Sequence, residues 1–157
     1  MQQLFHGGVH PEVDSLLTVE APAFELPAPE LLYIPLIQHK GAAAEPLVKV
    51  GDQVRLGQRI GDAEAAVTAA IHAPVSGEVR AIDAWHHPDG DTCPAIILEN
   101  DGRDTPDEAL LAPPRDLDAL TGEEIIKAAR DAGIVGMGGA GFPLSVKLSG
   151  RWVRLKR

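Results

Sequence analysis

The sequence is short of four things, and each shortage excludes something. It has a single cysteine, Cys93, so the chain can form no internal disulfide and cannot ligate a metal cluster with several of its own thiolates. Aromatic residues make up only 4% of it, so a core must be assembled from Val, Ile, Leu and Ala. Basic residues are scarce: 14 Lys and Arg stand against 23 Asp and Glu, for a net charge of −9. That balance argues against nucleic acid as the main partner, because phosphate backbones require a basic face. It leaves room for a nucleotide cofactor, which needs only a local site. No apolar run is long enough to cross a bilayer. The N-terminus, MQQLFHGGVHP, lacks the basic and apolar regions of a signal peptide. The expected location is cytoplasmic, at most peripheral on a membrane face and not inserted into it.

What is present in quantity is turn chemistry. The 157 residues include 13 Pro and 16 Gly, against a hydrophobic fraction of 45% that is ample for a packed core. From Pro46 to Val79 short apolar runs alternate with glycine turns at Gly51-Asp52, Gly57-Gln58 and Pro74–Gly77. Val67–Ile71 reads as a further strand, and Val79 and Ile82 resume the strand pattern. Such spacing predicts a mainly β protein, a small sandwich or barrel. Leu31–Leu36 and Pro94–Glu99 are strand candidates at its two ends. Ile34–Gly41 (IPLIQHKG) loosely repeats in Ile71–Gly77 (IHAPVSG), as two half-sandwiches would.

Around this barrel, expected over 31–100, the chain divides. Residues 1–30 are proline-stiffened and predict an extended strap. Residues 101–120 are acidic, carry Pro113-Pro114 and show no period, which marks a linker. Thr121 then caps a helix predicted over 122–132, with Glu124 completing a capping box and Gly133 ending it in a left-handed cap.

Histidines raise the question of metal. His6 and His10 have no cysteine or carboxylate set at ligand spacing, and the adjacent His86 and His87 point apart in most backbones. No metal site and no catalytic residue is identified. The densest chemical signal is Gly133–Pro143 (GIVGMGGAGFP). Gly136, Gly138 and Gly141 satisfy G-x-G-x-x-G formally, but a helix precedes them where a dinucleotide fingerprint needs a strand. Glycines this dense still let backbone N–H groups approach a flat ring or a phosphate.

GDQVRLGQ followed by APVSGEV is similar to the biotinyl- and lipoyl-carrier fold, the barrel-sandwich hybrid. Carriers place a lysine at the hairpin tip between those motifs. Here the tip, 61–67, has none, so a covalent swinging arm is excluded and a docking role is left.

Six motifs in order carry a larger resemblance: Phe5–Pro11 (FHGGVHP), Ile34–Gly41, Pro46–Asp52 (PLVKVGD), Ile71–Gly77, Ile97–Gly102 (ILENDG) and Asp131–Pro143 (DAGIVGMGGAGFP). Over about residues 4–148 the chain resembles the N-terminal part of RnfC, the C subunit of the Rnf electron-transport complex. The resemblance implies a peripheral subunit of a membrane complex that couples NADH and ferredoxin oxidoreduction to ion translocation, with the other subunits as partners. It also implies that 121–157 begins an α/β flavin-binding domain like that of the NADH-binding flavoprotein of respiratory complex I. There a glycine loop lies against FMN and a lysine follows it. The matching positions are Gly136, Gly138, Gly139, Ala140, Gly141, Phe142 and Lys147, the lysine offsetting charge on the flavin or its phosphate.

Leu144 stands where the family usually has threonine, and Ser149–Arg157 (SGRWVRLKR) departs from the family's continuation. The rest of the FMN and NADH domain and the cysteine motifs for two [4Fe–4S] clusters do not follow within these residues. This stretch by itself is therefore expected to bind no cofactor. Its helix and glycine loop are expected to be less well tied down than the barrel, or packed on another copy. Two alternatives remain: a carrier-like docking module without redox chemistry, and the related cobalamin-reductase-type subunit.

Overall fold

A computed structural model describes residues 20–113 and 116–150. The first part of the strap, with His6 and His10, and the tail after 150 lie outside them. Two antiparallel sheets make the body. The larger has four strands in the order β1 (Leu31–Pro35), β7 (Thr92–Asn100), β6 (Gly77–His86), β3 (Gln53–Val54). The smaller has three, β2 (Glu45–Pro46), β4 (Arg59–Asp62) and β5 (Ile71–His72), with β4 in the middle.

One buried cluster joins them. The large sheet contributes Ile34, Val54, Val79, Ile96 and Leu98, and the small one Ile60 and Ile71. Ile60, Val79, Ile96 and Leu98 have no exposed surface, and each such side chain is worth about 1.5–3 kcal/mol of burial. The sequence explains a break in the alternation. Val79 and Ile82 both meet the core although they are three residues apart, which a regular strand forbids. The β6–β7 register jumps between Val79 and Ala81, so Arg80 is an extra residue in a bulge that restores the inward phase. Arg80 itself points out, between Glu78 and Glu99.

The turns follow the glycines. Lys49–Asp52 and Arg55–Gln58 are built alike. In each, the fourth amide donates to the first carbonyl (3.1 and 3.0 Å) and the fourth side chain accepts from the first amide (3.0 and 2.9 Å). Gly51 and Gly57 take the left-handed position at φ 90° and 81°. Pro88-Asp89-Gly90 turns as its composition predicts, with Gly90 donating to the His87 carbonyl.

The strand expected over Val67–Ile71 is shorter, because only Ile71–His72 pairs in a ladder. Val67–Ala69 instead bonds to the turn at 39–42: Ala42 N–H donates to Val67 O (3.0 Å) and Ala69 N–H to His39 Nε2 (3.1 Å). The segment expected as linker contains a short helix, α1 (Glu108–Leu111), and a 3₁₀ turn, Leu117–Ala119. Its first half is fastened to the barrel. Leu56 N–H donates to Thr105 O and Asp107 N–H to Leu56 O, and Ser76 holds Asp101 and Thr105.

Helix α2 (Gly122–Asp131) carries both bonds of the predicted capping box. At its other end Gly133 N–H meets Arg130 O and Ile134 N–H meets Ala129 O, the two bonds of a Schellman motif. Gly133 is doubly constrained. Its φ is 67°, and a Cβ there would drive into the Ala70 carbonyl. Helix α2 and the glycine loop therefore lie directly against the barrel. Arg130 reinforces the contact by donating to Asp62 (2.6 Å) and to Ala63 O (3.0 Å) at the hairpin tip.

Candidate functional site

The glycine stretch forms a closed loop between α2 and the last helix, α3 (Leu144–Ser149). Its ends are pinned antiparallel: Gly136 N–H donates to Phe142 O (3.0 Å), Leu144 N–H to Ile134 O (2.9 Å), and Val135 bridges Pro143. The tip, Met137–Ala140, stands free, and Met137 is 93% exposed. Among the described residues no acceptor is paired with the amides of 137–141.

The loop's glycines divide into two kinds. At Gly136 an added Cβ would meet only the flexible end of Lys147, which can swing aside, whereas at Gly141 (φ 62°) it would press on Gln38 O at 3.1 Å and His39 Cα at 3.2 Å. Only Gly141 is required by the chain itself. Gly138 and Gly139 are not: their φ is negative and a Cβ would meet nothing within 4 Å. Neither backbone conformation nor packing asks for glycine there, and the space beside them is open.

That space is a cleft of about 540 Å³, within the range of small-molecule sites. Of the residues singled out from the sequence, Gly136, Gly139, Ala140 and Gly141 line it. Gly138 sits beside it on the free tip. Phe142 is half-buried and closes the loop through its carbonyl. Lys147 is exposed and packs behind Gly136 rather than in the cleft.

Sequence reasoning missed the opposite wall, which belongs to the barrel: the turn Ile37–Gly41, with His87 and Asp89 from the β6–β7 turn. Both pieces were legible as turns. Nothing in the sequence joins residues fifty positions apart. Two imidazoles brace this wall. His39, buried, accepts from Ala69 with Nε2, so its proton sits on Nδ1, 3.3 Å from Lys40 O. His87 Nδ1 lies 2.7 Å from the Asp89 carboxylate and 3.3 Å from the Asp89 N–H, while Nε2 meets Ile37 O at 3.0 Å. The Asp89 carboxylate therefore raises the His87 pKa, the Ile37 carbonyl adds to it, and His87 in turn lowers that of Asp89. The neighbouring His86 lies edge-on to Trp85, so the adjacent pair does not converge.

The hairpin tip, 61–67, is closed in a different way. Asp62 is drawn upward in pKa by burial, but the hydrogen bond from Arg130, the Ala63 amide and the charges of Arg130 and Arg59 outweigh that and lower it. The tip holds no lysine, and Asp62, at the end of β4, is clamped by Arg130 of α2.

Fold and site together define a class: a barrel-sandwich domain without the carrier's attachment residue, joined to a glycine-loop cleft. The chain belongs to the RnfC family, since residues 3–103 match the RnfC barrel sandwich hybrid domain. It is 42% identical over 149 residues to the C subunit of the proton-translocating ferredoxin:NAD(+) oxidoreductase complex of Clostridium ljungdahlii, covering 95% of this chain and 32% of that one. It is 41% identical to the Na(+)-translocating counterpart of Acetobacterium woodii, covering 92% and 32%. It is 44% identical to the C subunit of the ion-translocating oxidoreductase complex of Rhodobacter capsulatus, covering 91% and 28%. The chain thus spans about a third of the length of these relatives. Among the described residues no helix is long and apolar enough to cross a membrane.

Proposed function

We propose that this chain is the N-terminal part of a peripheral subunit of an ion-translocating ferredoxin:NAD(+) oxidoreductase complex, and that its glycine loop is one edge of a flavin mononucleotide site. In this reading 31–100 is a docking barrel, 101–120 a linker, and 121–157 the start of the FMN- and NADH-binding domain. The [4Fe–4S] clusters and the NADH site belong to parts of the subunit outside these residues, and the subunit faces the cytoplasm beside its membrane partners.

One observation supports the flavin reading above the others. Gly138 and Gly139 leave an open surface beside a cleft, with no internal reason for lacking a side chain, and their amides have no acceptor among the described residues. Amides so placed can donate to a flat heterocycle or to its phosphate oxygens. Lys147, behind Gly136, adds positive charge to that side of the loop. When bound, the flavin supplies the exchange between two-electron and one-electron carriers. The chain's part is to bind and orient it. The same feature weighs against a purely carrier-like docking module, which needs no such loop.

These residues supply only part of the cradle and are expected to hold no flavin at ordinary concentrations, so FMN contact should show only weakly, in roughly the millimolar range. Titration of the ¹⁵N-labelled chain with FMN should shift the amides of 136–142, and Gly139→Val should abolish the shifts while leaving the barrel's resonances in place. Silence of those amides at several millimolar FMN overturns the reading.

A further inference from the structure

The barrel of such a protein is readily treated as a docking device remote from the chemistry. The geometry here places it elsewhere. The glycine loop and the barrel touch at Gly141, packed against Gln38 and His39, and the cleft opens from that contact with one wall from each. The barrel wall is also stiff. His39 ties its turn to 67–69 from beneath, and His87 ties it to the β6–β7 turn from the rim. A wall held from both sides is suited to meet a ligand without reordering.

Its charges are unequal in availability. The charged residues lining the cleft are Lys40, His87 and Asp89. Asp89 and His87 are committed to each other, and the other His87 nitrogen is committed to Ile37 O. Lys40 is exposed, and among the described residues no carboxylate lies within ion-pair distance of it. An available cation therefore stands across the cleft from the amides of the loop tip.

We propose that the barrel is the second wall of the flavin cleft, and that Lys40 supplies the positive charge that meets the phosphate of a bound flavin mononucleotide. The proposal rests on the flavin reading above and adds to it. The docking barrel becomes part of the cofactor site, and Lys40 becomes the residue that distinguishes a phosphorylated flavin from a bare one.

The test is a pair of NMR titrations of the ¹⁵N-labelled chain, one with FMN and one with riboflavin, which lacks the phosphate. With FMN, amides of 38–41 should shift together with those of 136–142. FMN should bind about tenfold more tightly than riboflavin at low salt, a preference that fades at high salt. Lys40→Gln should remove the preference by weakening FMN alone. Lys40 is exposed, with no ion pair among the described residues, so the variant's spectrum should otherwise match the parent's. Shifts confined to the glycine loop, or a Lys40→Gln change that lowers both flavins equally or neither, overturn the barrel wall and leave the flavin reading standing. Silence of the loop toward both flavins overturns both.

Discussion

The barrel and the helix–loop segment obey different rules. Among the described residues the barrel buries fifteen apolar side chains, four of the large ones with no exposed surface, in a cluster its own strands complete. Helix α2 buries none, and Ile125, Ile134 and Met137 remain 44%, 46% and 93% exposed. What fixes the second segment is polar and backbone chemistry: a capping box, a Schellman turn seated on Ala70, and Arg130 on the hairpin tip. The barrel is held by area removed from water, which is non-directional and large. The loop is held by a few directional pins, which are smaller but leave its surface open. A site that must receive a ligand benefits from the second kind of construction, provided something of the first kind stands beside it.

The contrast is sharpest where the core is cut. Ile96→Ala removes a fully buried side chain from the centre of β7 and should cost about 2–5 kcal/mol. Urea unfolding followed by far-ultraviolet circular dichroism reads this directly. If the loop segment depends on the barrel as a platform, hydrogen exchange of α2 should rise in the same variant by the same free energy. Exchange of α2 that ignores Ile96→Ala would mean the two regions stand independently.

A smaller effect should separate them in the other direction. Arg130→Met removes the hydrogen bonds to Asp62 and Ala63 O and should cost about 1.5–3 kcal/mol of the contact between α2 and the barrel, with little change in the exchange of β7. The pH dependence follows with a definite sign. The folded pKa of Asp62 lies below its ordinary 3.8, so its contribution is fully present above that value and is lost as pH falls through the lower, folded one. Acid should therefore loosen α2 from the hairpin tip before the core yields, and Asp62→Asn should flatten that part of the profile. Loosening that is unchanged in Asp62→Asn would place the acid-sensitive group elsewhere.

Legibility in the sequence divides along the same line. Glycine turns and alternation marked several of the strands, because local sterics and a period of two are written in neighbouring residues. The α2 caps were equally plain, down to Thr121, Glu124 and Gly133. What stayed hidden was non-local. Val67–Ala70 has the composition of a strand, yet its partners are a turn and an imidazole thirty residues earlier. The cleft's barrel wall needs Ile37 and His87 brought together across fifty positions, and neither advertises the other. The bulge at Arg80 is invisible until the register is known, although Val79 and Ile82 carry its consequence in their parity.

The finest comparison lies within the loop itself, where stability and binding should part. Gly141→Ala would force a left-handed alanine against the Gln38 carbonyl and is expected to harm both. Gly138→Ala meets no atom within 4 Å, at a backbone angle any residue accepts. Its one effect on folding is to reduce the freedom of the unfolded chain, so the variant should be as stable as its parent or more so, by at most about 1 kcal/mol. If the tip's surface exists for a ligand, that same methyl group should weaken FMN binding measurably while thermal unfolding holds steady or rises. A Gly138→Ala chain that binds flavin as before would show that the tip is an ordinary turn, and that Gly139 and the cleft behind it carry the site without it.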